Sequence, residues 1–72
     1  MNIATFRKNA REEIRVSLDQ IHGLTLVNMR TWYLSDGGEM WPGKQGLAVR
    51  PELLPELVQA LTKAADAATV QL

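Results

Sequence analysis

Residues 29–49 read MRTWYLSDGGEMWPGKQGLAV and hold three of the four aromatic side chains of this 72-residue chain. The stretch begins with strand-forming residues that include Trp32 and Tyr33, passes through a glycine-rich turn and a loop around Trp41, and resumes as a strand. Flat rings stack on nucleobases and cations hold phosphates. A sheet surface that combines rings with cations is therefore predicted to bind a single nucleic-acid strand.

Alternation of apolar and polar residues predicts the strands. Residues 13–21 and 24–33 alternate with period two and are rich in β-branched side chains. Shorter strands are predicted at residues 3–7 and 44–49, the latter after a loop at residues 35–43. Both faces of the strand at 24–33 are partly apolar, so we expect the helix to cover one face and a partner chain or a ligand the other.

Two features of the long strands matter for a binding site. Gly23 supplies the reversal between them because glycine tolerates positive φ. The only histidine, His22, therefore lies in an exposed turn, and the sequence shows no catalytic or metal-binding partner for it. Strict alternation then places Arg30 and Tyr33 on opposite faces. A ligand that touches both requires a strong twist or a β-bulge between them.

A helix is predicted in the last third of the chain. Pro51 suits a first helical turn, but a second proline at Pro55 indicates that regular α-helix begins only near that residue. An apolar stripe at three- and four-residue spacing follows: Leu53, Leu54, Leu57, Val58, Leu61, Ala64, Ala65 and Ala68. Residues 1–72 are predicted to form a single domain, with residues 1–10 and 67–72 as candidate flexible ends.

Composition excludes several classes of protein. There is no cysteine for a disulfide framework or a thiolate metal site. There is also no apolar run of about eighteen residues and no hydrophobic signal core, so we expect a soluble, cytoplasmic protein, nucleoid-associated if bacterial. A chain of this length buries only about 60% of the surface its unfolded form exposes, which favours association with a second chain.

The formal net charge is zero, which by itself argues against a nucleic-acid partner. Residues 1–50 carry seven basic and five acidic side chains, or +2, and residues 51–72 carry one basic and three acidic, or −2. A binding face therefore belongs to the first half. There, Arg7, Lys8, Arg11 and Arg15 form either a phosphate-holding edge or a solvated edge strand protected by charge.

No arrangement typical of catalysis is visible. The serines lack a nearby histidine, and the glycines match neither of the nucleotide-binding spacings. Asp36 and Glu39 offer too few oxygen ligands for calcium. We therefore predict a protein that is not an enzyme and that has no metal and no cofactor.

The aromatic residues divide into two groups. Trp32 lies in a strand with apolar neighbours and is interpreted as a core residue. Tyr33 ends that strand and Trp41 lies in a polar glycine-proline loop, where burial would need a special reason. Stacking on a base is worth about 1–3 kcal/mol for each ring. Arg15, Arg30 and Lys44 are candidate phosphate contacts, and their alternative role is ordinary surface charge. Together with the two rings, the candidate nucleic-acid-binding residues are Arg15, Arg30, Tyr33, Trp41 and Lys44.

A set of short pieces in one ungapped register also carries a resemblance to a known family: Val16-Ser17-Leu18, Gly23, residues 26–33 with Arg30, Gly38-Glu39-Met40, Pro42-Gly43-Lys44, Gly46-Leu47 and Pro51-Glu52. From residue 15 to residue 52 the chain resembles the single-stranded-DNA-binding domain of the transcriptional coactivator positive cofactor 4 family, which has bacterial and phage members. The resemblance implies an α+β fold, with a four-stranded curved antiparallel sheet followed by one C-terminal helix. It also implies a homodimer, paired through its helices, that grips single-stranded DNA.

The resemblance extends to individual residues. Arg30 and Tyr33 match an arginine and a tryptophan of the family's DNA surface, Lys44 matches a basic position, and Trp41 stands where the best-known members have a lysine. Some positions depart from the pattern and replace an aromatic residue and three cations: Ile21, His22, Leu24 and Gln45. The loss of about three cations should weaken binding and flatten its salt dependence. The serine-rich regulatory region of the eukaryotic coactivator is absent, which fits a bacterial or phage setting better.

These observations predict sequence-tolerant binding of single-stranded DNA by a homodimer, in transcription regulation or in replication and repair. RNA stays open as a ligand, and the transcription machinery as a further partner. The alternative is a protein-interaction module that docks a polymerase or another regulator through its aromatic sheet surface. The zero net charge suits that alternative better than it suits DNA.

Overall fold

The computed structural model describes the backbone of residues 1–71 and the side chains of residues 1–70. Its strands are β1 (Asn2–Arg7), β2 (Glu12–Ile21), β3 (Leu24–Leu34) and β4 (Met40–Val49). A 3₁₀ turn (Pro51–Leu53) then leads into the helix α1 (Leu54–Gln71). The strands form one antiparallel sheet in the order β1-β2-β3-β4. The predicted architecture, a four-stranded antiparallel sheet followed by one C-terminal helix, is confirmed.

The β2–β3 hairpin is the most regular part of the sheet. It pairs without a register shift from Glu12 opposite Tyr33 to Ile21 opposite Leu24. His22 and Gly23 have φ values of 52° and 79°. Positive φ at both central residues matches the twist of the flanking strands, which is why this turn type closes two-residue hairpins. The predicted reversal and the exposure of the histidine are both confirmed.

The loop predicted at residues 35–43 is wrong in its second half, because β4 begins at Met40. The turn itself is short: the Ser35 backbone N–H donates to the Glu39 carbonyl at 2.7 Å, and Gly38 has a φ of 86°. Pro42 lies inside β4, which is possible because an edge strand leaves backbone groups unpaired on one side. Trp41 is therefore a strand residue and not a loop residue.

The pairing register sorts the side chains of the sheet into two faces. The first, here called the polar face, carries Glu13, Arg15, Ser17, Asp19, Asn28, Arg30 and Trp32. The second, here called the apolar face, carries Phe6, Ile14, Val16, Leu18, Val27, Met29, Tyr33, Leu47 and Val49. The candidate site residues are divided between these faces.

The apolar face is only partly covered. Among the side chains of residues 1–70, Val27 alone is buried, at 7% exposure. Phe6 on the apolar face and Leu61 on α1 are each more than half exposed, and both line an open hollow of about 460 Å³. The predicted cover of one sheet face by the helix is therefore incomplete, and the apolar stripe of α1 also remains accessible.

The start of the helix agrees with its two prolines. The Leu53 N–H donates to the Arg50 carbonyl at 3.0 Å in the 3₁₀ turn, and α1 begins one residue before Pro55, as predicted. Within the described residues, no helix is both long enough and apolar enough to cross a membrane. The flexibility of residues 1–10 and 67–72 stays a prediction, and Leu72 lies outside the described residues.

Candidate nucleic-acid interface

A bulge interrupts the pairing of β4 with β3. Arg30 pairs with Gly46, whereas two residues further along β3 the partner is Pro42. Residues 43–45 of β4 therefore oppose a single residue of β3, and we call this segment the β4 bulge. A bulge between Arg30 and Tyr33 was one of two predicted ways for both to reach one ligand. β3 itself stays regular against β2, so Arg30 and Tyr33 remain on opposite faces, and the bulge lies in the neighbouring strand β4 instead.

The Arg30 side chain crosses from β3 to the β4 bulge. Its Nη1 donates a hydrogen bond to the Gly43 carbonyl oxygen at 2.9 Å. Its guanidinium lies over Gly46, since an ideal Cβ atom on that glycine would be 2.8 Å from Arg30 Cζ. Among the described side chains, no carboxylate lies within ion-pair distance of Arg30. The positive charge at the bulge is therefore uncompensated.

Two exposed rings lie beside the same bulge. Tyr33 and Trp41 are directly opposite each other in the β3–β4 ladder, and their side chains are 46% and 48% exposed. The Tyr33 ring also borders the bulge, because its Cδ1 is 3.8 Å from the position of an ideal Cβ on Gly43. Half-exposed rings next to each other form a surface on which planar groups can stack.

Lys44 is exposed within the bulge and lines a hollow of about 290 Å³ together with Tyr33 and Glu12. The β4 bulge thus brings together four of the five candidate site residues. Arg30 reaches it from the polar face, and Tyr33, Trp41 and Lys44 surround it. Glu12 is an acidic neighbour, and it accepts a hydrogen bond from Asn9 Nδ2 at 2.7 Å.

Arg15, the fifth candidate, is paired directly with Arg30 on the polar face, but its side chain is held by other residues. Its guanidinium stacks over the Trp32 ring with Cζ 3.9 Å from the ring centroid, and its Nε donates to Glu13 Oε2 at 2.8 Å. Cation–π stacking and a charged hydrogen bond together hold this side chain in place. The interpretation of Trp32 as a core residue is wrong, because its ring is half-buried on the polar face beneath Arg15.

The rest of the polar face mixes charges of both signs. Asp19 Oδ2 accepts hydrogen bonds from Ser17 Oγ at 3.1 Å and from Asn28 Nδ2 at 3.3 Å. The acidic Glu13 and Asp19 lower the attraction of this face for a phosphate chain. The edge at the bulge is the more favourable place for an anionic ligand.

The N-terminal cations are also largely paired. Lys8 Nζ is 3.8 Å from Glu12 Oε1, and Arg11 Nη2 is 3.9 Å from Asp36 Oδ1. Arg11 Nη2 also donates to the Leu34 carbonyl at 3.0 Å. Two of these cations therefore bridge neighbouring segments, which favours the solvated, charge-protected edge over a bare phosphate-holding edge.

The sequence reading missed the two glycines that shape the bulge. An ideal Cβ on Gly43 would lie 2.8 Å from the Thr31 carbonyl oxygen, and one on Gly46 would overlap the Arg30 guanidinium. The available signal was glycine inside a strand, which marks a bulge or a close approach. Among the described residues, no group of three or more His, Cys, Asp or Glu side chains is placed to hold a metal ion.

The bulged antiparallel sheet and its following helix define a small α+β domain. Residues 8–60 match the family described as Transcriptional Coactivator p15 (PC4). The chain belongs to the PC4 family, which confirms the resemblance found in the sequence and the prediction that the protein is not an enzyme.

Solved structures agree with this assignment. The crystal structure of a PC4 homologue from Burkholderia pseudomallei K96243 is 34% identical, covers 90% of this chain and 88% of its own, and has a TM-score of 0.84. The bacteriophage T5 homologue of PC4 shares the fold at 22% identity and a TM-score of 0.74, covering 97% of this chain and 81% of its own. MoSub1, solved in complex with DNA, shares it at 20% identity and a TM-score of 0.62, covering 97% and 85%. No curated protein sequence matches the chain.

Proposed function

We propose that this protein binds single-stranded DNA as a homodimer, with little sequence preference, at the β4 bulge. Bases stack on Tyr33 and Trp41, and phosphates contact Arg30 and Lys44. The observation that carries the proposal is the pair of half-exposed rings, 46% and 48%, beside a bulge reached by a guanidinium without a carboxylate partner. Arg15 contributes less to binding, because Glu13 already offsets its charge.

The chemistry of the bulge favours a single strand over a duplex. A ring can stack on a base only if the face of that base is accessible, and bases in a duplex are stacked on one another. Stacking and phosphate contacts also carry little information about base identity. Binding is therefore expected to depend on strand length and salt more than on sequence.

The second copy of the chain follows from the exposed apolar surface. With Val27 as the one buried side chain among residues 1–70, the chain gains stability by burying more apolar surface against a second copy. Val58 and Leu61 of α1 are 58% and 55% exposed, and Leu47 on the apolar face is 50% exposed. A second copy that pairs through its helix buries these side chains and places two β4 bulges on one particle, which doubles the number of phosphate and base contacts.

The relatives support DNA as the ligand. The T5 homologue is implicated in recombination-dependent DNA replication, MoSub1 was crystallised with DNA, and the family carries the name of a transcriptional coactivator. We infer a role in transcription regulation or in replication and repair, in the cytoplasm and at the nucleoid if the source is bacterial.

Fluorescence anisotropy with a labelled single-stranded oligonucleotide tests the proposal. Unlabelled duplex and RNA of the same sequence serve as competitors, at two salt concentrations. We expect saturable binding that weakens with salt and that the duplex competes for poorly. Absence of binding at low salt contradicts the proposal, and salt-insensitive binding to a polymerase or another regulator instead supports the protein-interaction alternative.

Two variants test the site itself. Arg30→Ala and Tyr33→Ala should each weaken binding while the dimer remains intact by size-exclusion chromatography with light scattering. The matched control is Lys63→Ala, which removes a cation from the helix side opposite the apolar stripe, away from the sheet. Unchanged affinity in both site variants removes the β4 bulge from the binding site.

A further inference from the structure

A side chain at position 46 of β4, where the chain has glycine, would collide with Arg30. The two residues are paired in the β3–β4 ladder. An ideal Cβ on Gly46 would lie 2.8 Å from Cζ, 2.9 Å from Nη1 and 3.0 Å from Nη2 of Arg30. Since real Cβ atoms essentially never come this close to another heavy atom, the guanidinium occupies the space that a side chain at position 46 would need.

The guanidinium is fixed there by a second contact. Arg30 Nη1 donates to the Gly43 carbonyl at 2.9 Å. Gly43 therefore supplies a hydrogen-bond acceptor, and Gly46 supplies the space in which the guanidinium lies. A guanidinium has five N–H donors, and among the described residues this is the one hydrogen bond that the Arg30 guanidinium donates. Most of its donors are therefore available for an anionic ligand.

Arginine is a long side chain with many rotamers, and a ligand that has to order it loses affinity. A guanidinium that is held in advance avoids that loss. We propose that Gly46 is a positioning residue that pre-orders Arg30 for contact with the phosphates of single-stranded DNA. This inference rests on the proposed function, and it assigns to a residue without a side chain an effect on affinity that acts through Arg30.

The inference separates affinity from stability. In Gly46→Ala the colliding atoms belong to the end of a flexible side chain, so the fold can absorb the new methyl group by moving the guanidinium. We expect Gly46→Ala to fold and dimerise normally and to bind single-stranded DNA about tenfold more weakly, as for the loss of one charge-assisted contact. Gly43→Ala differs, because its Cβ would meet the backbone oxygen of Thr31 at 2.8 Å and should lower stability directly.

Gly37→Ala is the matched control. An ideal Cβ there has only Ser35 Oγ within 4 Å, at 3.9 Å, and Gly37 does not have a positive φ. This variant should match the wild type in affinity, stability and dimerisation. A general effect of replacing glycine with alanine is thereby separated from the specific effect at position 46.

A double-mutant cycle shows whether Gly46 acts through Arg30. Affinities are measured by anisotropy for the wild type, Gly46→Ala, Arg30→Ala and the double variant. We expect Gly46→Ala to add no further loss in the Arg30→Ala background. Wild-type affinity in Gly46→Ala, or an equal loss in both backgrounds, overturns the inference.

NMR spectroscopy tests the positioning of Arg30 by Gly46 in the absence of DNA. The Arg30 Nε–H resonance, assigned from its loss in Arg30→Ala, should shift in Gly46→Ala and stay in place in Gly37→Ala. An unchanged resonance in Gly46→Ala overturns the positioning of Arg30. If the resonance shifts but the wild type binds no single-stranded DNA, the proposed function has failed while the positioning itself stands.

Discussion

Two arginines of one sheet are in opposite electrostatic situations. Arg15 is stacked on Trp32 at 3.9 Å and bonded to Glu13 at 2.8 Å, whereas Arg30 donates to a neutral carbonyl at 2.9 Å and has no carboxylate partner among the described side chains. A ligand that uses Arg15 must break an ion pair, but one that uses Arg30 need not. Availability for an anionic ligand therefore depends on the side chains next to each arginine on its face of the sheet and not on residue type.

The aromatic residues show the same contrast. Trp32 is half-buried beneath a guanidinium, while Tyr33 and Trp41 lie side by side and half exposed. Glu13, Arg15 and Trp32 interact with one another, whereas the rings and cations at the β4 bulge stay accessible to a ligand. The first arrangement suits a structural role and the second a binding site.

Removal of both exposed rings should produce the largest effect. Each base stacked on an aromatic side chain contributes about 1–3 kcal/mol, so the double variant Tyr33→Ala with Trp41→Ala should lose at least about thirtyfold in affinity for single-stranded DNA. Anisotropy titration measures the loss. Trp32→Leu, the control, should lower the thermal unfolding temperature and leave affinity nearly unchanged; an equal loss of affinity there would extend base stacking to the polar face.

The second largest effect on affinity is expected for Arg30→Ala, and it should exceed the effect of Arg15→Ala. Arg30→Ala removes one phosphate contact, worth about 1.5–3 kcal/mol for a charged hydrogen bond. It should also reduce the slope of log affinity against log salt by about 0.7 per chain. Arg15→Ala should change both quantities by less than half as much. A salt series of titrations measures the slopes, and identical slopes for the two variants contradict the difference drawn here.

Release of Arg15 should produce a smaller, opposite effect. Glu13→Gln removes the charge that Arg15 is bonded to at 2.8 Å, at a stability cost of about 1 kcal/mol or less. The freed cation should strengthen DNA binding by about 0.5 kcal/mol at low salt. Thermal unfolding and anisotropy measure the two changes, and the gain should vanish in the Arg15→Ala background.

The smallest effect is expected at Glu12, which shares a hollow with Tyr33 and Lys44. Glu12→Gln keeps an oxygen for the hydrogen bond from Asn9 and removes the negative charge. Affinity should rise by roughly 0.3 kcal/mol at low salt and return to the wild-type value at high salt, where charges this exposed are screened. A loss of affinity in this variant would show that Glu12 has a positive role in the site.

Much of the fold follows from local patterns. Period-two alternation placed β2 and β3 to within one residue at every end, and the His22-Gly23 turn and the start of the helix near Pro55 were also predicted. The start of β4 was missed, because proline and glycine usually mark loops. An edge strand with a bulge tolerates both, and only the pairing with β3 shows that β4 is one.

The candidate site was predicted as a set of residues but not as an arrangement. The rings and cations of residues 29–49 stood out by type and density. The division between the open bulge and the Arg15 cluster was not predicted, since the Trp32 ring meets Arg15 only when β2 and β3 pair. Glu13 is two residues from Arg15 on the same strand, but its choice of partner is not visible from spacing alone.

By itself, the sequence determined the strands of the hairpin, the helix, the absence of a disulfide framework and the stretch that carries the candidate site. Each of these depends on spacing along the chain or on composition. Only the tertiary structure decided that three residues of β4 oppose one of β3, that Arg30 lies over Gly46, and that Arg15 is paired. The first two features arise from register between strands, where residues distant in sequence come within hydrogen-bond distance. The third forms within β2, because alternate residues of an extended strand share one face.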